Sequence, residues 1–536
     1  MSGRTYLPPA DVSISVPGDD GDTSVVASPA SPEAPLLTNV QYGIASRVWA
    51  LVLALTTTPL LLHGLGAERF GVWVLLSAIA GYLTYFDFGI GVALAQLVAM
   101  DMPRAPEETR RMVSTGTWLS VLLAALLAAV ALLARPLLFR IFPLGGAGRQ
   151  EADTAYILIV AAFSVLAACA SFQAVLIGKA KLRAYYLTSM AIATLQLAGI
   201  VAVIQLRGGL RELALNSLVW SAVGALVWVW LARRAIPGMG MPRRMDARRA
   251  RQLLGFGWKV QITNVAAFAL QYVDRLIVGS LLGAIAVSRY EVGARVGNVS
   301  RLISSPVGLA VLPRASRQFG RGDGEGLRRL AVDGTRLLTV ACLLVAGPLA
   351  VGAPFFLRVW LGQFHPDSIR VLATLSAVAA FHSSSGVLSA IARGIGSPGL
   401  ETRYTMLLVL ALVFGGVTAT AVLGLNGLLV CSGVTTVALT LYFGAVMAAV
   451  LKIPKRELFL RPVAVPWAMG FAAAGLAFIC GRAASTNLSA FFLLLLVGVV
   501  FEVCFLGLCL AAGALRWSEV CSPFTSFRSF SSVRGQ

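Results

Sequence analysis

The stretch GVWVLLSAIAGYLTYFDFGIGVALAQLVAM, residues 71–100, is an apolar run with one carboxylate, Asp87, near its middle. It exceeds the roughly 20 residues with which an α-helix crosses a hydrocarbon core of about 30 Å. The rest of the chain is similar: 57% of its residues are hydrophobic, 13% are charged, and the mean hydropathy is +0.81. These values lie outside the range of soluble globular domains. The sequence therefore predicts an all-α polytopic membrane protein.

About 14 such runs follow one another along the chain, and each is long enough to span a membrane. They cover residues 43–63, 71–99, 112–134, 153–178, 185–206, 211–232, 254–282, 285–312, 334–357, 369–392, 403–424, 426–451, 463–482 and 488–513. The longest connections, near 233–252 and 314–333, have about 20 residues each and are rich in arginine. No soluble catalytic domain fits between the runs, which argues against an enzyme.

An internal repeat divides the runs into two halves. LGAERFGV (65–72) corresponds to LGAIAVSRYEV (282–292) once three residues are inserted in the second copy. Because both halves start on the same side, we expect two pseudo-symmetric six-helix lobes related by an axis along the membrane normal. The predicted order is a disordered cytoplasmic tail (1–36), an N-lobe (37–234), a basic cytoplasmic linker (235–252), a C-lobe (253–452), two further helices (453–513) and a cytoplasmic C-terminal tail (514–536).

Lysine and arginine collect in the loops that follow even-numbered runs, including 233–252 and 314–333. The positive-inside rule then places both termini in the cytoplasm. The formal net charge of +20 is spread over many short loops, where it can hold the chain against anionic lipid headgroups. No nucleic-acid-binding fold accompanies this charge, so no nucleic-acid partner is expected.

The sequence contains no pattern for a cofactor, a metal or a catalytic centre. The three histidines do not cluster with carboxylates, and the seven cysteines form no CxxC pair. Lys179 follows a glycine, but Gln173 stands where a nucleotide-binding loop needs glycine. We expect neither ATP hydrolysis nor a cofactor.

Asp87 lies about 20 Å from either end of its run, too deep for its short side chain to reach water. One interpretation is a neutral carboxylic acid, or one that is hydrogen-bonded to the backbone of a neighbouring helix. The other is a proton or cation site that faces a central wet path and couples transport to an ion gradient.

The seventh and eighth runs carry two polar stripes. Asn264, Gln271, Asp274 and Arg275 lie near one face of the seventh run, together with Gln261. Asp274 and Arg275 point about 100° apart, so each is expected to have a partner on another helix. In the eighth run, Glu291, Arg295 and Asn298 follow an i, i+4, i+7 ladder, with Arg301 nearby. The alternative for this ladder is that Glu291 and Arg295 only neutralise each other.

Arg47 and Lys259 lie just inside the cytoplasmic boundary, where they either extend to the headgroups or point inward. Cations retained inside a membrane argue for an anionic ligand, most simply a phosphate or pyrophosphate bound by arginine forks. The candidate pyrophosphate-binding residues are Arg47, Lys259, Arg275, Arg295 and Arg301. The candidate ion-coupling or polar cavity residues are Asp87, Asp274, Glu291, Asn264, Gln271 and Asn298. Glu502, in the last run, is a further candidate for the cavity.

The segments LGAERFGVW, YFDFGIGVALAQLVA and YVDRLIVGSLLGAIAVSRYEVGARV resemble the Wzx-type polysaccharide flippases of the multidrug/oligosaccharidyl-lipid/polysaccharide exporter superfamily. The likeness covers roughly residues 38–513 and implies a MATE-like fold. It also implies carriage of undecaprenyl-pyrophosphate-linked oligosaccharides across the bacterial inner membrane, by alternating access and without ATP. Exopolysaccharide, capsule or O-antigen synthesis would use such a flippase, beside a polymerase and chain-length machinery. By this likeness Asp87 and Asp274 match recurrent family aspartates.

Two alternatives remain. A proton- or sodium-coupled multidrug antiporter of the same superfamily would favour an acidic, aromatic cavity, whereas the cations here are in excess. A polysaccharide polymerase or ligase would need a large loop with catalytic residues, and no loop between the runs exceeds about 20 residues.

Overall fold

The computed structural model describes residues 36–101, 106–142, 149–236, 245–362, 365–485 and 488–517. The predicted tails lie outside these ranges except for residues 36 and 514–517, and so do residues 237–244 of the basic linker. Throughout the described ranges all regular structure is helical. The protein is therefore an all-α polytopic membrane protein, as the sequence predicts.

The helices are α1 (Leu36–Leu65), α2 (Ala67–Tyr85), α3 (Ile90–Asp101), α4 (Pro106–Leu133), α5 (Arg135–Ile141), α6 (Arg149–Ala168), α7 (Ala170–Gly178), α8 (Leu182–Gln205), α9 (Leu210–Ala235), α10 (Ala247–Leu282), α11 (Ala284–Gly297), α12 (Arg301–Gly320), α13 (Gly324–Val351), α14 (Ala353–Leu361), α15 (Pro366–Ser384), α16 (Gly386–Gly394), α17 (Pro398–Val450), α18 (Lys455–Phe459), α19 (Val465–Ala484) and α20 (Ala490–Ala511). A π-helical turn, Leu460–Ala464, joins α18 to α19.

Ten segments of the described chain are long and apolar enough to cross a membrane. They contain all but three of the predicted runs, because the 53-residue α17 holds two runs that meet at Gly424, where the backbone is not helical. The other three runs fall on α2–α3, α10 and α11–α12. The runs on α2–α3 and α11–α12 are each divided into two helices. The run on α10 is the seventh run, which carries a polar stripe. The number of fourteen spans stays a prediction.

The structure contains the repeat that the sequence predicts. Gly66 and Gly283 precede α2 and α11 with nearly the same backbone angles, φ 81° and ψ 165° against φ 82° and ψ 177°. Such positive φ values favour glycine. Arg69 of α2, three residues after Gly66, forms an ion pair with Glu151 at the start of α6, with a distance of 3.5 Å between Nη2 and Oε2.

The second half has the matching ion pair. Arg289 of α11, which aligns with Arg69, lies 3.3 Å from Asp367 at the start of α15. Helices α1–α9 pack mainly with one another, and so do α10–α17. The two groups meet where α2 contacts α10 and α11. The predicted boundaries between lobes and linker stay a prediction.

The apolar run 71–99, which its length predicts to be one spanning helix, is broken in the structure. Helix α2 ends at Tyr85 and α3 begins at Ile90, with Asp87 between them. The Asp87 carboxylate accepts hydrogen bonds from the backbone N–H groups of Gly89 (2.8 Å) and Gly91 (3.3 Å). A side chain that binds its own backbone in this way competes with the helical ladder and starts a new helix. Phe88 and Gly89 adopt left-handed φ values of 50° and 65° at the break.

The last two spanning helices pack on α13. Arg328 donates two hydrogen bonds to Glu457 of α18 (3.0 and 2.5 Å), and Arg336 donates to the Ala514 carbonyl beyond α20 (3.2 Å). Phe501 of α20 lies against Gly347, where a Cβ atom would come within 1.9 Å of its ring. Helices α18–α20 are thereby fixed to the second half.

Candidate functional site

A cavity of about 700 Å³ lies between the two halves. Helices α1, α2 and α6 form one wall, and α10, α11, α12, α15 and α17 form the other. A space of this size between two helical units is a typical place for a ligand site. Its lining residues decide what it can hold.

The wall from the first half is mostly apolar. It contains Ala50, Leu51, Ala54, Trp73, Val74, Ser77, Ala78, Gly81 and Phe163, and among its described residues Arg47 is the one charged side chain. The opposite wall contains Gln271, Asp274, Arg275, Glu291, Arg295, Asn298, Arg301 and His382, with Phe268 and Tyr272 beside them. An apolar surface therefore faces a charged one.

Glu291 is the centre of the charged wall. Its carboxylate accepts one hydrogen bond from Arg275 Nε on α10 (2.6 Å) and one from Arg295 Nε on its own helix (2.7 Å). The Glu291 side chain is 6% exposed, so the two arginines offset the cost of burying its charge. The sequence left open whether Glu291 and Arg295 neutralise each other, and they do form a pair. Arg275 is a second partner, and the trio keeps one positive charge.

Asp274 and Arg275 find their partners on α11, as expected from their 100° separation. Tyr290 donates a hydrogen bond to Asp274 Oδ2 (2.6 Å), while Oδ1 of the same carboxylate has no hydrogen-bond partner among the described residues. Arg301 opens α12 on the same wall, and its buried Nε also lacks a described partner. These two buried atoms keep unused hydrogen-bonding capacity within the charged wall.

One end of the cavity is closed where α2 and α11 begin. A Cβ atom at Gly71 would lie 1.8 Å from the Ala284 carbonyl oxygen, and one at Gly279 would lie 2.4 Å from the Leu75 side chain. The two halves are in backbone contact there because glycine has no side chain.

Helix α1 also ties the first half to the second. Arg295 Nη1 donates to Thr58 Oγ1 (3.0 Å) and to the Ala54 carbonyl (3.2 Å). Trp360 of α14 donates to the Leu55 carbonyl at 2.9 Å. That carbonyl is available because Pro59, four residues later, has no N–H for the helical ladder. The bonds hold α1 against the second half near the closed end.

The model of the polysaccharide biosynthesis protein family matches residues 36–319, which include the apolar wall and most of the charged one. The chain belongs to the polysaccharide biosynthesis protein family. A second model, MatE, matches residues 260–417.

Relatives in this family and its neighbours are transporters. An inferred O-antigen transporter of Shigella flexneri is 25% identical over 343 residues, which are 62% of this chain and 80% of that protein. The multidrug resistance protein NorM of Burkholderia vietnamiensis is 26% identical over 201 residues, 37% of this chain and 42% of that protein. The chain is accordingly a transporter of the exporter superfamily, and not an enzyme.

Two solved structures share the fold. The lipid II flippase MurJ in an inward closed conformation has a TM-score of 0.69 and 13% identity, over 88% of this chain and 99% of MurJ. An inward-facing multidrug resistance MATE family transporter of the same superfamily has a TM-score of 0.61 and 16% identity, over 77% of this chain and 95% of that one. The MATE-like fold that the sequence implied is thereby confirmed.

Most of the predicted site residues in this family member meet at the cavity. Its wall includes Arg47, Arg275, Arg295, Arg301, Asp274, Glu291, Gln271 and Asn298. Helix α10 carries Lys259 and Asn264, but their side chains lie outside the described residues. Taken together, the two walls of the cavity have four described arginines and two described carboxylates, so cations are in excess.

Two candidate residues are absent from the described lining of the cavity. Asp87 is not among the residues that line the cavity, because its carboxylate turns back to the Gly89 and Gly91 backbone. Glu502 is also not among them, because α20 packs on α13, α14 and α19. Periodicity placed both residues in a helix, but it could not give the direction in which each helix faces.

Sequence reasoning also missed residues that shape the cavity. The aromatic lining of Trp73, Phe163, Phe268 and Tyr272 gave no signal in so apolar a chain. Thr58, which receives Arg295, belongs to the run LTTTP (55–59), where three successive threonines donate to carbonyls four residues back. Hydroxyls beside a proline inside a span were the signal that could have indicated this contact.

Proposed function

We propose that this transporter moves an undecaprenyl-pyrophosphate-linked oligosaccharide from the cytoplasmic to the periplasmic leaflet of the bacterial inner membrane. The cargo would supply exopolysaccharide, capsule or O-antigen synthesis. The names of two similar proteins support the proposal, since one is an inferred O-antigen transporter and the other a lipid II flippase. Translocation would proceed by alternating access, with no cofactor and with a proton or sodium gradient as the energy source.

The observation that carries the proposal is the contrast between the two cavity walls. Arg275, Arg295 and Arg301 offer guanidinium groups that bind phosphate oxygens in pairs. The opposite wall, with Trp73 and Phe163, offers an apolar surface. A lipid-linked pyrophosphate needs both kinds of surface, whereas a free sugar needs neither the cations nor the apolar wall.

The closed end supports entry of the cargo from the cytoplasmic side. Under the positive-inside orientation, α1 starts in the cytoplasm and the α2–α11 contact at Gly71 and Ala284 faces the periplasm. In that orientation the cavity would be sealed toward the periplasm. The cationic wall would receive the pyrophosphate from the cytoplasmic leaflet, where such lipids are assembled.

The proposal can be tested with purified protein in proteoliposomes that contain a fluorescent undecaprenyl-pyrophosphate glycan. We expect the inner-leaflet pool to become accessible to an external quencher faster than in protein-free vesicles. Arg295→Ala should slow this transfer, whereas Arg251→Ala, which removes an exposed arginine away from the cavity, should not. Equal rates with and without folded protein, under imposed proton and sodium gradients, would refute the proposal.

A cation-coupled multidrug antiporter is the second candidate, favoured by the MatE match and the similarity to NorM. A cationic drug would meet two carboxylates among four arginines, which disfavours it electrostatically. Uptake of a fluorescent cationic drug by the same vesicles, without glycan transfer, would support the antiporter. A polymerase and chain-length proteins remain proposed partners of the flippase.

A further inference from the structure

The helix pair α19–α20 lies away from the cavity and is fixed to α13. Phe501 of α20 packs on Gly347, and the flanking residues Glu457 of α18 and Ala514 after α20 bind Arg328 and Arg336 of α13. None of the described cavity-lining residues belongs to α18, α19 or α20. The pair is therefore free for a role other than contact with the cargo.

Helix α20 is the most apolar of the ten spanning segments, yet it contains Glu502. Glu502 is twelve residues after Ala490 and nine before Ala511, which places it about 18 Å and about 13 Å from the two ends of the helix. This is close to the middle of a hydrocarbon core of about 30 Å. A carboxylate at that depth is costly and usually has a partner.

No such partner exists among the described residues, where Glu502 forms neither an ion pair nor a hydrogen bond. Phe501, next to it, is buried against α13, and Val503 on its other side is 65% exposed. Glu502 itself is half-buried at the edge of the packed face. It therefore borders the surface that α20 presents to lipid.

The same edge of α20 has room for another helix. Leu495 and Val499, which lie about two turns and one turn before Glu502, are 49% and 60% exposed. A Cβ atom at Gly498, one turn away, would meet no atom within 4 Å. Small residues next to a polar side chain are the pattern by which membrane helices approach closely and hydrogen-bond. We call Leu495, Gly498, Val499, Glu502 and Leu506 the Glu502 face.

We propose that the Glu502 face binds a transmembrane helix of a second protein that carries a lysine or arginine at the same depth. The partner's cation would pair with Glu502 while its backbone passes over Gly498. This pairing removes the cost of an isolated carboxylate in hydrocarbon, and the rigid attachment of α20 to α13 would make the partner move with the second half. The proposal does not depend on which cargo the cavity carries.

Charge complementarity favours a basic partner over a second copy of this chain. The described mid-span arginines Arg275, Arg295 and Arg301 line the cavity, so a second copy would bring one Glu502 against another. Lipid headgroups do not suffice, because they lie at the membrane surface and not at the depth of Glu502.

The experiment uses the full-length protein, labelled with a donor dye, in proteoliposomes with an acceptor-labelled Leu-rich transmembrane peptide. One peptide has a central lysine and the other has leucine at that position. We expect energy transfer to show about tenfold tighter association of the lysine peptide with the wild-type protein. Glu502→Leu should abolish that preference and Glu502→Gln should reduce it. Val430→Leu, at an exposed position on α17, should leave it unchanged.

Equal association of both peptides with the wild type, or an undiminished preference in Glu502→Leu, would overturn the proposal. Energy transfer between donor- and acceptor-labelled copies of the protein, lost in Glu502→Leu, would also overturn it by making a second copy the occupant. Thermal unfolding of each variant checks that it is folded. Glycan transfer should be the same in all variants, since α20 does not line the cavity.

Discussion

The two halves of this transporter begin their second helix with the same construction and then diverge. Gly66 and Gly283 make the same turn, and Arg69 and Arg289 each pair with an acidic residue at the start of α6 or α15. The next two positions differ, since Phe70 and Gly71 of the first half align with Tyr290 and Glu291 of the second.

The aligned positions therefore serve packing in the first half and the charged wall of the cavity in the second. In the first half, Gly71 lets α2 touch the α11 backbone and Phe70 is fully buried. In the second half, Tyr290 and Glu291 bind Asp274, Arg275 and Arg295 and form the charged wall. The repeated ion pairs are a common feature of both halves, and the aligned positions that are not repeated contribute to a cavity with one apolar and one charged side.

The largest effect should come from Glu291→Gln. The change leaves Arg275 and Arg295 without their carboxylate, and removal of one partner from a buried charge network costs about 3 kcal/mol or more. We expect a clear drop in the thermal unfolding midpoint in detergent. Glu325→Gln, which removes two exposed helical ion pairs, is the matched control and should change little. Equal midpoints for wild type and Glu291→Gln would show that the charged wall does not support folding.

Gly71→Ala tests the aligned position in the first half. Its methyl group would lie 1.8 Å from the Ala284 carbonyl, so α2 and α11 must move apart, at a cost of about 1 to 3 kcal/mol. We expect lower stability and easier labelling of a cysteine placed near the closed end. Gly475→Ala, where no atom lies within 4 Å, should not change either measurement. An unaffected Gly71→Ala would mean that the closed end is loosely packed.

Arg301→Gln tests the charged wall without breaking an ion pair among the described residues. Loss of one charge-assisted hydrogen bond to the cargo corresponds to about a tenfold slower glycan transfer. Stability should be retained, because Arg301 Nε has no described partner to lose. Arg301→Lys should restore part of the rate, since it keeps the charge but not the fork. An unchanged rate in Arg301→Gln would place the cargo elsewhere on the wall.

Asp87→Asn should have a smaller effect. Asparagine keeps one acceptor oxygen, which can accept the 2.8 Å hydrogen bond from Gly89, while the longer bond from Gly91 to the second oxygen is lost, so the break between α2 and α3 should persist with a small loss of stability. Asp87→Ala should cost about 1 kcal/mol. Glycan transfer and its dependence on pH should be the same for Asp87→Asn and the wild type. A flattened pH profile in that variant would restore Asp87 as the ion-coupling group.

The smallest effect should come from the repeated ion pairs. Arg69→Gln and Arg289→Gln each remove a partly exposed pair, worth about 0.2 to 1 kcal/mol. The two variants should shift the unfolding midpoint by similar small amounts and leave transport unchanged. A much larger shift in one of them would show that the two junctions are not equivalent.

Much of the fold could be predicted from the sequence because a membrane restricts the choices. Runs such as 43–63 and 185–206 must be helical, since backbone groups in hydrocarbon have no other hydrogen-bond partners. The repeat at 65–72 and 282–292 indicated two parallel halves, and the neighbouring Asp274 and Arg275 indicated partners on another helix. The break at Asp87 was missed, because a hydropathy window averages over four non-helical residues.

The sequence by itself determined that the chain is helical and enters the membrane many times, that it forms two related halves, and which residues are too costly to bury there without partners. Only the tertiary structure decided what each of those charges contacts. Glu291 and Arg295 face a cavity, Asp87 folds back on its own backbone, and Glu502 borders the lipid. The physical reason is that transfer energy depends on residue type and depth, whereas a side chain's direction depends on how each helix rotates to pack against its neighbours.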